Sequence, residues 1–224
     1  LIAKARGIPW VLYDHLNYES YAAVDVGRAK ATNWALTIVY DRDGKFETKR
    51  GELMRGEDLE QQAIIYCVQE ASRYSKEKSD LVLLRDVTVY PEEQDAFITA
   101  SANSPFSNCS IVSVKKDVPY RILRELNGRI LKPNSGDYFQ LDERSVVVCT
   151  AGADEYEHGM PQPIEIEVFT SKGRVDVLKV ARDAFFLTYL NWGSPRQSYS
   201  IPAPVRLAHS MASDLAAGIR RAGE

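Results

Sequence analysis

The stretch that most constrains the fold is Leu81-Val82-Leu83-Leu84, an unbroken apolar run that ends on the charged pair Arg85-Asp86. A strand that is apolar at every position has no face left for water and must be covered on both sides. Just before it, across residues 59–75, Leu59, Ala63, Tyr66, Cys67, Ala71 and Tyr74 recur at steps of three and four, the stripe of an amphipathic helix. A helix followed by a buried strand is how a crossover onto a parallel position is built, so the chain is predicted to be a mixed α/β sheet flanked by helices.

The segments on either side fit that plan. Residues 21–26 and 34–40 are β-rich, and Asp41-Arg42-Asp43-Gly44 is a hairpin turn signal ahead of Phe46-Glu47-Thr48, so the sheet opens with antiparallel strands. Further on, a helix is expected over about residues 92–102, strands at 110–114, 145–150 and 164–168, and a helix over 175–190 on the stripe Val177, Val180, Ala181, Ala184, Phe185 and Thr188. A last helix carries Val205, Ala208, Ala212, Leu215, Ala216 and Ile219, with Pro202 and Pro204 fixing the connector and its first turn.

Composition removes several function classes. With 45% hydrophobic residues in 224, the chain has enough apolar material for a sizeable core, which excludes a disordered protein. A formal net charge of −3 excludes nucleic-acid binding by bulk charge and leaves only a local basic patch. Cys67, Cys109 and Cys149 lie far apart without a C-x-x-C, so neither a disulfide framework nor a thiolate zinc site is encoded, and a reducing cytoplasm is the expected setting. No apolar run approaches the roughly 18 residues that span a bilayer, so no membrane partner is expected. The sequence opens on Leu1, and we expect a fragment of a longer protein.

Asp25 lies in Tyr21-Ala22-Ala23-Val24-Asp25-Val26, where a lone carboxylate is costly unless it is paired, metal-bound or bonded to backbone amides at the strand's end. Asp86 ends the buried strand, where ligand sites of α/β sheets gather, although a salt bridge to a neighbouring arginine would also explain it. Two carboxylates at the ends of neighbouring strands would offer oxygen ligands to a hard cation such as Mg²⁺, which makes phosphoryl chemistry the leading class. His209, beside Ala208 and Ala212 on the last helix, is either a buried neutral histidine or a ligand facing a site. Glu57 precedes the first helix, where the helix dipole favours an acid.

The order of these parts is the ribonuclease-H-like arrangement: Asp on a first strand, hairpin, helix, Asp on a buried strand, polar ligand on a final helix. Several stretches resemble the PIWI domain of prokaryotic Argonaute proteins. Ala23-Val24-Asp25-Val26-Gly27-Arg28 is similar to the family's first catalytic block, and Leu81 to Asp86 to the block of its second aspartate. Ile111-Val112-Ser113-Val114-Lys115-Lys116 is similar to the strand after that, and the run from Ser194-Pro195-Arg196 to Ala208-His209 to the closing motif. Residues 1–20 resemble the C-terminal end of a MID lobe and 21–224 the PIWI domain. The departure is Val87-Thr88, where the family often has a glycine and a basic residue.

The resemblance implies a catalytic tetrad of Asp25, Glu57, Asp86 and His209, with Glu52 and Glu60 as competitors for the glutamate's place. It implies two Mg²⁺ or Mn²⁺ ions, held by Asp25, Asp86 and His209, and hydrolysis of a target strand to a 5′ phosphate and a 3′ hydroxyl. The implied partners are a guide nucleic acid, its complementary target strand, RNA or DNA, and the remaining Argonaute domains. Lys4, Lys115, Lys116 and Arg196 are the implied nucleic-acid contacts, Lys4 through the guide's 5′ phosphate. Two other readings stand beside this one: a guide-binding module that recruits without cutting, and an unguided nuclease of the same fold.

Overall fold

The computed structural model describes residues 12, 14–28, 33–56, 58–75, 79–151, 162–190 and 200–218. Strands β1 (Ser20–Arg28), β2 (Asn33–Asp41) and β3 (Phe46–Met54) form an antiparallel meander. Helix α1 (Leu59–Tyr74) then crosses to β4 (Asp80–Arg85), which pairs in parallel with β1, and α2 (Pro91–Ala102) crosses to β5 (Asn108–Lys115), parallel to β4. The expectation drawn from Leu81 to Leu84 is met: all four side chains are fully buried.

Short strands β6 (Arg124–Leu126), β7 (Arg129–Leu131) and β8 (Tyr138–Gln140) follow, then β9 (Ser145–Val148) and β10 (Ile164–Lys172). The main sheet runs β3-β2-β1-β4-β5-β10-β9-β8, while β6 and β7 pair only with each other. Helices α3 (Val177–Thr188) and α4 (Ala203–Ala216) close the fold. Asp176 caps α3 by accepting from the amides of Leu178 and Lys179, and Pro202 and Pro204 open α4 as their spacing predicts.

Alternation along the central strands divides the core in two. Tyr21, Ala23, Leu36, Ile38, Val82, Leu84 and Val112 face α3 and α4, whereas Ala22, Val24, Ala35, Leu81, Leu83 and Ile111 face α1 and α2. Helix α4 lies directly on β1. A Cβ on Gly27 would come 1.9 Å from the carbonyl oxygen of Ala212, so only glycine lets the helix and strand backbones meet there.

Candidate active site

The same alternation assembles the site. The parallel register pairs Ala23 with Leu84, and carried forward it sets Asp25 beside Asp86 just past the end of the ladder. Asp25 keeps the parity of Tyr21 and Ala23, and Asp86 that of Val82 and Leu84, so both carboxylates face the α4 side. Helix α4, seated on Gly27, brings His209 over them. Its Nδ1 is 2.8 Å from Asp25 Oδ2 and 4.0 Å from Asp86 Oδ2. With its side chain 59% exposed, His209 is not a buried core histidine.

Asp86 is the most constrained member. Its Oδ2 accepts from Lys116 Nζ at 2.6 Å, a lysine in place of the arginine partner weighed from the sequence. Its Oδ1 is buried and has no hydrogen-bond partner among the described residues. Burial pushes the Asp86 carboxyl above its ordinary value, against the opposing pull of Lys116 and His209. Among the described residues no group of three or more His, Cys, Asp or Glu side chains is arranged so that it could hold a metal ion; His209 is bonded to Asp25 and Lys116 to Asp86.

Arg85 is a residue that the sequence reasoning passed over. Standing next to Asp86, it has the opposite parity and enters the α1 and α2 side, with a side chain only 3% exposed. It donates to the Val24 carbonyl at 2.8 Å, to Glu60 at 2.6 Å and to Glu93 at 2.9 Å. Burial works against its charge, but Glu60 and Glu93 outweigh it and hold the guanidinium above its usual pKa. One buried cation thus hooks the backbone just before Asp25 to the strand that carries Asp86. Strict alternation beyond the all-apolar run 81–84 would have pointed to it.

Of the remaining predicted residues, Glu57, Lys4 and Arg196 lie outside the described residues. Glu60 is bound to both Arg28 and Arg85, on the sheet face opposite the aspartates, and Glu52 is exposed on β3. Lys115 is held by Glu165 at 2.8 Å and Glu167 at 2.7 Å on β10. Most of the segment 1–20 also lies outside the described residues. Among those described, no helix is long and apolar enough to cross a membrane.

Element order and site position define a ribonuclease-H-like α/β module, a mixed sheet with helices on both faces. Its fold is that of a PIWI-like part of Argonaute proteins, as the sequence resemblance implied. The Argonaute of Aquifex aeolicus superposes with a TM-score of 0.76 at 22% identity, covering 98% of this chain and 32% of its own. The Clostridium butyricum Argonaute, bound to a guide DNA and a 19-mer target DNA, gives a TM-score of 0.68 at 19% identity over 95% of this chain and 29% of its own. That of Marinitoga piezophila, in complex with a 5′ OH guide RNA, gives 0.63 at 13% over 86% and 29%. The chain therefore spans about a third of the length of these Argonautes. No protein-family model matches it, and no curated protein does.

Proposed function

We propose that this chain is the catalytic module of a guide-directed endonuclease, which hydrolyses a phosphodiester of a target strand paired to a bound guide and leaves a 5′ phosphate and a 3′ hydroxyl. The observation that carries the reading is the convergence of Asp25 and Asp86, from adjacent parallel strands, under His209. The Argonaute fold supplies the context, since two of the similar proteins hold guide strands and one of those a target DNA.

The residues fit a hard divalent cation on two counts. Carboxylate oxygens with one imidazole suit Mg²⁺ or Mn²⁺, and the unpartnered buried Oδ1 of Asp86 is an acceptor that still needs a positive neighbour. Asp25, Asp86 and His209 would hold the ions, with Glu57 as the further acid. When bound, such ions lower the pKa of water and stabilise negative charge on the phosphate and the leaving oxygen.

The chain's own groups do the rest. His209 fixes the orientation of Asp25 through Nδ1, Arg85 fixes the spacing of the two strand ends, and Lys116 puts a positive charge beside Asp86. No protein nucleophile is available among the described cysteines: burial pushes Cys67 up to about 12 and Cys149 up to about 11, and raises Cys109, which keeps all three as inert thiols at neutral pH. In this reading water is the attacking group. Sequence choice would come from base pairing with the guide, which accords with the net charge of −3.

The test uses the whole protein loaded with a complementary guide and given a labelled target in Mn²⁺ or in EDTA. Metal-dependent cutting opposite the guide, abolished by Asp25→Ala and by Asp86→Ala, is the expected result. Tight binding of guide and target without cutting would replace it with a recruiting module, and cutting that ignored the guide would replace it with an unguided nuclease.

A further inference from the structure

Two adjacent lysines at the end of β5 are held in different ways. Lys115 is clasped between Glu165 and Glu167 of the neighbouring strand, with only 26% of its side chain exposed. Lys116 has one partner among the described residues, Asp86 Oδ2, and its side chain is 41% exposed on a long flexible stem. Just beyond it the backbone is left-handed, with Asp117 at a φ of +54°.

The oxygen that Lys116 holds is the one a shared cation would need. Of Asp86's two oxygens, Oδ2 is the one measured against His209 Nδ1, and His209 in turn meets Oδ2 of Asp25. An ammonium 2.6 Å from that oxygen and a divalent cation bridging the same side chains are like charges crowded into one contact. They exclude one another by repulsion and by space. A cation that also took the unpartnered Oδ1 would still lie against the ammonium on Oδ2, because the two oxygens share one carboxylate carbon.

We propose that Lys116 is an exchangeable counter-ion: a divalent cation displaces its ammonium from Asp86, and the freed ammonium passes to a phosphate of the bound strand. Cation loading and strand binding then favour each other by the same factor in both directions. The inference rests on the cation site of the preceding subsection. It assigns the two lysines different parts, with Lys115 fixed by its carboxylates and Lys116 moving between two anions.

The experiment is a calorimetric Mn²⁺ titration of the 224-residue chain, with and without a short DNA duplex bearing a 5′ phosphate. The proteins are wild type, Lys116→Met, Lys116→Arg and Asp86→Asn. Without the duplex, Lys116→Met is expected to bind Mn²⁺ about tenfold more tightly than wild type, and Lys116→Arg no more tightly than wild type. The duplex is expected to tighten Mn²⁺ binding by wild type and to leave that of Lys116→Met unmoved. If Lys116→Met gains nothing while Asp86→Asn loses affinity, the site stands and the exchange is overturned. A wild-type affinity indifferent to the duplex overturns the transfer to phosphate, and an arginine variant as tight as the methionine variant overturns the role of charge. Mn²⁺ binding unaffected by Asp86→Asn would overturn the cation site itself, and the exchange with it.

Discussion

Asp86 and Asp183 are both carboxylates withdrawn from water, and burial raises both above their ordinary pKa. Asp183, fully buried on α3, is surrounded by donors. Its Oδ2 accepts from the Asn17 amide at 2.7 Å and from the Tyr21 hydroxyl, and its Oδ1 from Asn17 Nδ2 at 2.7 Å and Arg182 at 3.3 Å. Asp86 has one oxygen on a partly exposed lysine and the other with no described donor. Burial and a raised pKa therefore do not distinguish a site from a structural node. The state of the donors does: backbone amides and short stiff side chains finish a carboxylate, whereas a long exposed ammonium leaves it open to exchange.

The sharpest way to break this comparison is to truncate each carboxylate. Asp86→Ala should lower guide-directed cutting by about a thousandfold or more while leaving the melting temperature nearly unchanged, as read by a cleavage assay beside thermal denaturation. Asp183→Ala should do the reverse, costing about 3 kcal/mol in urea denaturation because the buried Tyr21 hydroxyl is left unsatisfied and Asn17 loses both its hydrogen bonds to the carboxylate. If Asp183→Ala proved neutral, the finished node would be no node at all.

Tyr21→Phe sharpens the same contrast at lower amplitude. It removes one of several donors to Asp183 and should cost about 1 kcal/mol on the same denaturation curve. The smallest effect is in pH. Because burial raises the Asp86 carboxyl, the folded chain holds that proton more tightly than the unfolded chain does. Its contribution to stability is present below the ordinary carboxylate pKa and is lost as pH rises through the raised value. Asp86→Asn, which cannot ionise, should therefore gain on wild type as pH rises from acid to neutral, as followed by urea midpoints. A gap that narrowed instead would mean that Lys116 outweighs burial.

Much of this architecture could be read from residues. The apolar run at 81–84 required a buried strand, the stripe from Leu59 required the helix before it, and Asp41 to Gly44 marked the hairpin between β2 and β3. The three-residue strands β6, β7 and β8 were not legible, because two-residue alternation cannot declare itself in so short a piece. Asp25, Asp86 and His209 were legible as residues whose surroundings made them costly or odd, and the structure brings them together. Arg85 was hidden because an all-apolar run does not reveal by polarity which face each residue takes, and only strict alternation counted back from Asp86 would have placed it. Asp183 was hidden by the stripe it lies on: between Val180, Ala184 and Leu187, a carboxylate on the buried face was itself the signal.

The contact of Gly27 with Ala212 has a mechanical meaning. Where two backbones touch with no side chain between them, the helix has a fulcrum instead of a cushion. His209 is three residues from Ala212, about 4.5 Å along the axis, so a tilt of about 10° around that point carries it by less than about 1 Å. The lever arm lengthens with distance along the helix, and the outermost turns sweep furthest. A tilt about that contact would therefore move the histidine less than it moves the outermost turns of α4.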